Sequence, residues 1–238
     1  MIECNTLHKR FGDHTVLADA SFSVEAGTIA ALVGPNGSGK TTTLHVLAGL
    51  ATPDAGTAAV AGHDVIDDRS AAQEHLAFLP QDVRFHDALT PRQVLRFYTG
   101  LRPDRREEVV SGPRDASPDR IDALLDRVAL LDAADRPCGA LSGGMRQRLG
   151  LAVLEGADAP VLLLDEPALS LDPEWRTVLM DRLRARADDG AAVLLATHLL
   201  DVWTPIVDRV LRCEGGQVRE EESNPVPMPG DATTRSSS

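Results

Sequence analysis

The sequence predicts an α/β fold with a mainly parallel core sheet, an antiparallel β-subdomain and a helical subdomain. Three observations predict it. After residue 160, short apolar runs alternate with helical stretches: Val161 to Leu164, a helix from Pro173 to about Ala187, Ala192 to Ala196, then Val207 to Arg212. Such βα alternation makes parallel sheets. Between about Leu89 and Ala157 the apolar residues recur at helical spacing. Ahead of both, Ile2 to Leu7, Ser21 to Glu25 and Thr57 to Ala61 read as short strands of a small antiparallel sheet beside the strand Thr28 to Val33.

Each element has a local reason. Thr28 to Val33 is apolar throughout and short, as a buried strand is. It runs into Gly34-Pro35-Asn36-Gly37-Ser38-Gly39-Lys40-Thr41, which fits the phosphate-loop pattern G-x-x-x-x-G-K-[ST]. Glycines let backbone N–H groups close round an anion, Lys40 reaches the β- and γ-phosphates, and the Thr41 hydroxyl suits Mg²⁺. Thr42 to Ala48 continues as a helix ended near Gly49, so its N-terminal partial charge faces the same anion. Gly34, Asn36, Gly37, Ser38, Gly39, Lys40, Thr41 and Thr42 are therefore candidate nucleotide-binding residues. His75 to Leu79 is a further strand, broken by Pro80. Thr90 and Pro91 form an N-cap and first turn, with Val94, Leu95, Tyr98 and Leu101 on one face. Residues 103–120 read as a surface loop, where Arg102, Arg105 and Arg106 alternate with acids as a solvated face does. Ser117-Pro118 starts a helix carrying Ile121, Leu124, Leu125 and Val128. Residues 1–219 form one domain, the helical part covering about 89–157. The stretch 220–238, polar and Pro-rich with a Ser tail, is expected to be disordered.

Composition narrows the function. The chain has 238 residues, 43% hydrophobic but only 3% aromatic, so its core is built of Leu, Val and Ala. A net charge of −12 argues against a general nucleic-acid binder, whose affinity rests on a basic face. Lys9 and Lys40 are the only lysines. A guanine-specific GTPase needs a lysine in N-K-x-D, and Lys9 lies in Leu-His-Lys-Arg-Phe, which excludes that class. Cys4, Cys138 and Cys213 are far apart and fit no metal spacing, so reduced thiols are expected. No run approaches the ~18 apolar residues of a membrane span, and the N-terminus lacks the regions of a signal peptide. A cytoplasmic protein is expected.

Two further stretches carry chemistry. Val161 to Glu166 is an apolar strand ending in two carboxylates, at the end of a sheet strand where ligands bind. Asp165 is placed to hold Mg²⁺, and Glu166 to polarise an attacking water. Adjacent acids there often merely cap the next helix, but Pro167 and the phosphate loop upstream favour the chemical reading. Leu141-Ser142-Gly143-Gly144-Met145 opens another helix. It is either a plain turn and cap or a second anion site formed by the Ser142 hydroxyl and the Gly143 and Gly144 N–H groups.

In combination these stretches resemble the ATP-binding-cassette (ABC) transporter ATPases over residues 2–219: Walker A at Gly34–Thr41, signature at Leu141–Met145, Walker B at Val161–Glu166. Further landmarks match in order. Phe11 matches the aromatic that stacks on adenine, with Val16 beside it. Gln81 in Phe78-Leu79-Pro80-Gln81 matches the Q-loop, Ser170-Leu171-Asp172-Pro173 the D-loop, and His198 the switch histidine. Met145 stands where Gln is usual and Ser170 where Gly or Ala is commoner; neither removes a catalytic group. The resemblance implies catalysis by Glu166, His198, Lys40 and Gln81, with Mg²⁺ held at Thr41, Gln81 and Asp165. It also implies a homodimer or heterodimer that sandwiches ATP between Walker A of one subunit and Ser142–Gly144 of the other. Transmembrane permease subunits would be separate chains, holding this one at the inner face of the membrane. Leu79 to Val83 with Gly144 to Ala152 is similar to ABC-2-type exporters, most of all to ATPases serving copper-site maturation of nitrous oxide reductase, with the haem-exporter ATPase as a neighbour. The alternative function is an ATPase switch that signals through a membrane partner without transport. A chromosome-maintenance ATPase is rejected, because it needs a long coiled coil between Walker A and the signature.

Overall fold

A computed structural model describes residues 1–101 and 117–220. The solvated-face reading of Arg102, Arg105 and Arg106, most of the loop 103–120 and the tail 221–238 lie outside the described residues. Strands β1 (Ile2–Phe11) and β2 (His14–Val24) form a long hairpin. It is followed by β3 (Ile29–Val33), α1 (Lys40–Leu47), β4 (Ala55–Val60), β5 (His63–Asp64), α2 (Arg69–Glu74) and β6 (Leu76–Leu79). Then come α3 (Pro91–Gly100), α4 (Pro118–Arg127), α5 (Gly143–Ala157), β7 (Val161–Asp165), α6 (Pro173–Asp188), β8 (Ala192–Thr197), α7 (Leu200–Trp203), β9 (Arg209–Glu214) and β10 (Gln217–Glu220).

Among the described residues the strands make one sheet in the order β5-β4-β1-β2-β10-β9-β3-β8-β7-β6. The five from β9 to β6 run parallel, and β1, β2, β4 and β5 pair antiparallel. The antiparallel part is thus continuous with the core sheet. The link is β10, which pairs with β2 on one side and β9 on the other. Sequence reading ends the β1 strand at Leu7 and places Glu220 in the tail. In the structure β1 continues to Phe11 because Gly12, at φ 57°, turns the chain so that Phe11 faces His14. Glu220 pairs with Leu211 and accepts both Arg209 Nε and Nη2, at 2.6 and 2.5 Å.

The parallel strands are covered on both faces, which explains their unbroken apolar sequences. Alternation splits each strand between two cores. Ala30, Leu32, Leu163 and Leu194 pack with Leu44 and Leu47 of α1. Ile29, Ala31, Leu162, Leu164 and Leu195 pack with Leu179 and Leu183 of α6. Each fully buried leucine contributes about 1.5–3 kcal/mol. A third apolar cluster joins Val94 and Leu95 of α3, Ile121, Leu124 and Leu125 of α4 and Leu149 of α5. Thr90 caps α3 with a complete capping box through Gln93, and Ser117 caps α4. The loop expected to run to residue 120 therefore yields to helix at Pro118. The free thiols of Cys4, Cys138 and Cys213 are buried, and no described helix is long and apolar enough to cross a membrane.

Candidate functional site

The phosphate loop joins the C-terminal end of β3 to α1. A Cβ at Gly34 would lie 2.1 Å from the Cys213 carbonyl oxygen, so only glycine lets the loop leave β3 beside β9. Gly37 and Gly39 hold φ of 80° and 106°, which L side chains rarely adopt. Beneath the loop, the Cys213 thiol donates to the Ser38 carbonyl at 2.8 Å. The N-terminus of α1 carries no side-chain cap, so its first N–H groups and positive partial charge face the loop. Lys40 is 7% exposed, and its ammonium donates to the carbonyls of Gly34 and Pro35 at 2.7 and 3.1 Å.

The two carboxylates follow at the end of β7. Asp165 is 2% exposed and its Oδ1 has no hydrogen-bond partner. Burial raises its carboxyl above the ordinary range; a hydrogen bond from Thr41 opposes that, and the neighbouring Glu166 charge adds to it. A buried carboxylate oxygen with nothing to bind, next to a threonine hydroxyl and facing Gln81 across one cavity, is the oxygen donor set that a hard divalent cation takes. Glu166 stands at φ 45°, a left-handed backbone that is costly for a residue with a side chain. Its N–H donates to the Ala196 carbonyl at 2.9 Å. Thr197 Oγ1 donates to Oε2 at 3.2 Å, and His198 Nδ1 lies 2.7 Å from Oε1. Strands β7 and β8, paired in register with Asp165 opposite Ala196, deliver the acids and the histidine together.

Phe11, Val16, Asn36, Gly37, Gly39, Lys40, Thr41, Thr42, Gln81, Asp165, Glu166 and His198 all line a single cavity of about 550 Å³. That volume suits a small organic ligand. Phe11 is 55% exposed, with Lys9 Nζ 5.1 Å from its ring centroid, so a flat aromatic face stands at the rim. His14, across the hairpin from Phe11, also lines the cavity; sequence reading missed it, and the Gly12-Asp13 turn between two strand-like runs was the available signal. Gly34 and Ser38 shape the loop from beneath rather than line the cavity. A cleft of similar size, about 570 Å³, lies between Arg120, Arg182 and Arg186 and the acids Glu155 and Asp158, but it carries its own counter-charges.

Ser142, Gly143 and Gly144 do not line this cavity. They begin α5, where Ser142 Oγ accepts the Met145 N–H at 3.2 Å. Gly144 is packed, since a Cβ there would come within 3.1 Å of the Ser170 carbonyl oxygen. Gly143 is different. A Cβ on it would meet nothing within 4 Å, and both Ser142 and Gly143 are exposed.

Comparison with known proteins agrees with this architecture. A family model described as ABC transporter matches residues 17–169. The chain is 36% identical over 219 residues to the Nod factor export ATP-binding protein I of Burkholderia orbicola (strain AU 1054), covering 91% of this chain and 68% of that protein. It is 37% identical over 213 residues to a daunorubicin resistance ATP-binding protein of Streptomyces coeruleorubidus, covering 90% of this chain and 65% of that one. A solved ATP-binding subunit of an ABC transporter superposes with a TM-score of 0.81 at 26% identity, over 93% of this chain and 89% of its own. A dimeric cassette bound to ADP and phosphate shares the fold, with a TM-score of 0.80 at 24% identity, over 93% of this chain and 98% of that one.

Proposed function

The chain belongs to the ABC transporter family, as an ATP-binding and ATP-hydrolysing subunit, and we propose that it works by sharing its ATP between two subunits. The observation that carries this reading is the single cavity that joins Lys40, Thr41, Asp165, Glu166 and His198, while Ser142 and Gly143 stand exposed elsewhere.

Phe11 and Val16 take the adenine, and the loop N–H groups from Asn36 to Thr42 take the phosphates. The Lys40 ammonium exchanges its two loop carbonyls for β- and γ-phosphate oxygens. Thr41, Asp165 and Gln81 would hold Mg²⁺, which when bound neutralises phosphate charge. Glu166, oriented by His198 and Thr197, accepts the proton of the attacking water. Ser142, Gly143 and Gly144 of a second subunit close over the γ-phosphate. The open space at Gly143 supports this, because nothing in its own subunit requires a glycine there.

The chain through Glu220, the last residue of β10, acts as one ATPase domain, with the helical part at about 89–157. Its membrane partners are transmembrane subunits on separate chains, which hold it at the inner membrane face. Their docking face is the apolar groove at Leu50, Phe78, Tyr98 and Leu101, beside the β6 strand that leads to Gln81. The relatives' names concern export of Nod factor and resistance to daunorubicin, which favours powered export over a switch without transport. Leu79 to Val83 with Gly144 to Ala152 supports an ABC-2-type exporter. Within that type the copper-site maturation ATPases of nitrous oxide reductase are our reading of the subfamily. The proteins captured with the chain from membranes test it.

The experiment for the site is Glu166→Gln. The variant keeps MgATP binding, turns over at least ~10²-fold more slowly and accumulates as an ATP-bound dimer in size-exclusion chromatography. Hydrolysis at the wild-type rate would remove Glu166 from the role of base.

A further inference from the structure

Gln147 is a buried amide, 3% exposed, on the helix that begins with Ser142 to Gly144. A polar side chain so placed stays only with a partner. Its partner is the carbonyl of Pro167, which accepts from Gln147 Nε2 at 3.2 Å. Pro167 follows Glu166 directly, in the turn whose backbone is bent to φ 45° at Glu166. Such a conformation persists only where the surroundings over-determine it. Ties on the turn include the Glu166 N–H to Ala196, the Leu169 N–H to the Glu166 carbonyl at 3.3 Å and the Leu171 N–H to the Ala168 carbonyl at 3.2 Å, with Thr197 and His198 on the Glu166 carboxylate; the amide from α5 is the tie that reaches Pro167. As an acceptor, the Pro167 carbonyl can be met only by the NH₂ end of the glutamine.

We propose that Gln147 is a positioning residue that couples the Ser142 end of α5 to the catalytic carboxylate of the same subunit. The proposal rests on the shared-site reading above. Five residues of helix, about 7.5 Å, separate Ser142 from Gln147, and the helix is braced against the segment after β7 along its length. Gly144 packs on the Ser170 carbonyl, the Arg148 guanidinium lies 4.7 Å from the Trp175 ring centroid, and Glu155 pairs with Arg182 of α6. Contact at Ser142 and Gly143 with the partner's nucleotide therefore sets the position of α5, and Gln147 passes that position to the Glu166 turn. Each subunit's water-activating carboxylate is fixed by whether its signature end is engaged at the other site.

The test is single-turnover hydrolysis by the ATP-bound dimer, isolated without magnesium and started by adding it, so that only folded, closed protein is counted. Gln147→Met keeps length and helix propensity but removes the donor. Its dimer is expected to form with unchanged ATP affinity and to hydrolyse at least tenfold more slowly, while steady-state KM stays within twofold. Gln147→Lys, which restores a donor, is expected to recover a larger share of the rate. A Met variant within twofold of wild type, or a parallel loss of ATP affinity and rate, would overturn the proposal, as would a Lys variant no faster than Met. Glu166→Gln run alongside separates the two claims: if it is inactive while Gln147→Met is normal, only the coupling role fails, and if it hydrolyses normally, the shared-site reading fails first.

Discussion

Asp165 and Glu166 are neighbours with opposite circumstances. Asp165 is buried with an unmet oxygen, whereas both oxygens of Glu166 are engaged by Thr197 and His198. On the proposed reading, the first takes a cation and the second is held in aim at the attacking water. Without the cation, the Asp165 charge is a cost to the fold. Asp165→Asn should therefore melt higher than wild type in the presence of a chelator, because it removes the buried charge while keeping the shape. It should also lose the extra stabilisation that Mg²⁺ adds to ATP. A variant that keeps the full magnesium increment in thermal melts would deny Asp165 the metal. These residues were legible in sequence because each sits in a motif whose spacing is set by the chemistry. His14 and Gln147 were not. The place of His14 at the cavity comes from pairing across a hairpin, and the place of Gln147 from a contact between residues twenty apart in the chain. The Gly12-Asp13 turn hints at the first; the second leaves no local signature.

Among the elements, the apolar strands β3, β7 and β8 and the helices α3 to α6 were readable from hydrophobic runs and from Thr90, Ser117, Ser142 and Pro173 at their starts; the Asp172 cap of α6 came from the structure. The short elements β5, α2, α7 and β10 were not. Gln217-Val218-Arg219-Glu220 is polar except for Val218, yet it lies inside the sheet, held by backbone pairing on both sides rather than by side-chain burial. Its last residue adds an ion pair. Arg209 hydrogen bonds hold the Glu220 carboxyl below its ordinary value. A depressed carboxyl contributes stability above its unfolded pKa and loses that contribution as the pH falls through the folded one. Glu220→Gln should thus lower stability at pH 7 by less than about 1 kcal/mol, since the pair is solvent-exposed. The difference from wild type should vanish in denaturant titrations at acid pH. A difference that grows on acidification would contradict the assignment.

Among the described residues one continuous sheet carries the starts of α1 and α5 to different places. The start of α1 closes the cavity; the start of α5 stands open beside the exposed Ser142 and Gly143. The mainly parallel fold was legible from βα alternation, but the continuity of the antiparallel arm was not, because β10 is the hinge of that continuity and reads as loop. On the shared-site proposal, half of a site stands at each of two positions and two copies face each other head to tail, a two-fold arrangement in which each subunit supplies what the other lacks. The measurement that tests this most directly is ATPase activity of Ser142→Arg and Lys40→Ala, each alone and then mixed at matched total concentration. Each alone should be inactive, with Ser142→Arg still binding ATP as a monomer. In the mixture, one composite site of every heterodimer carries both defects and the other carries neither, so activity should return to about a quarter of wild type at random pairing. A mixture as inactive as its components, or a Ser142→Arg monomer that cannot bind ATP, would contradict a site shared between two subunits.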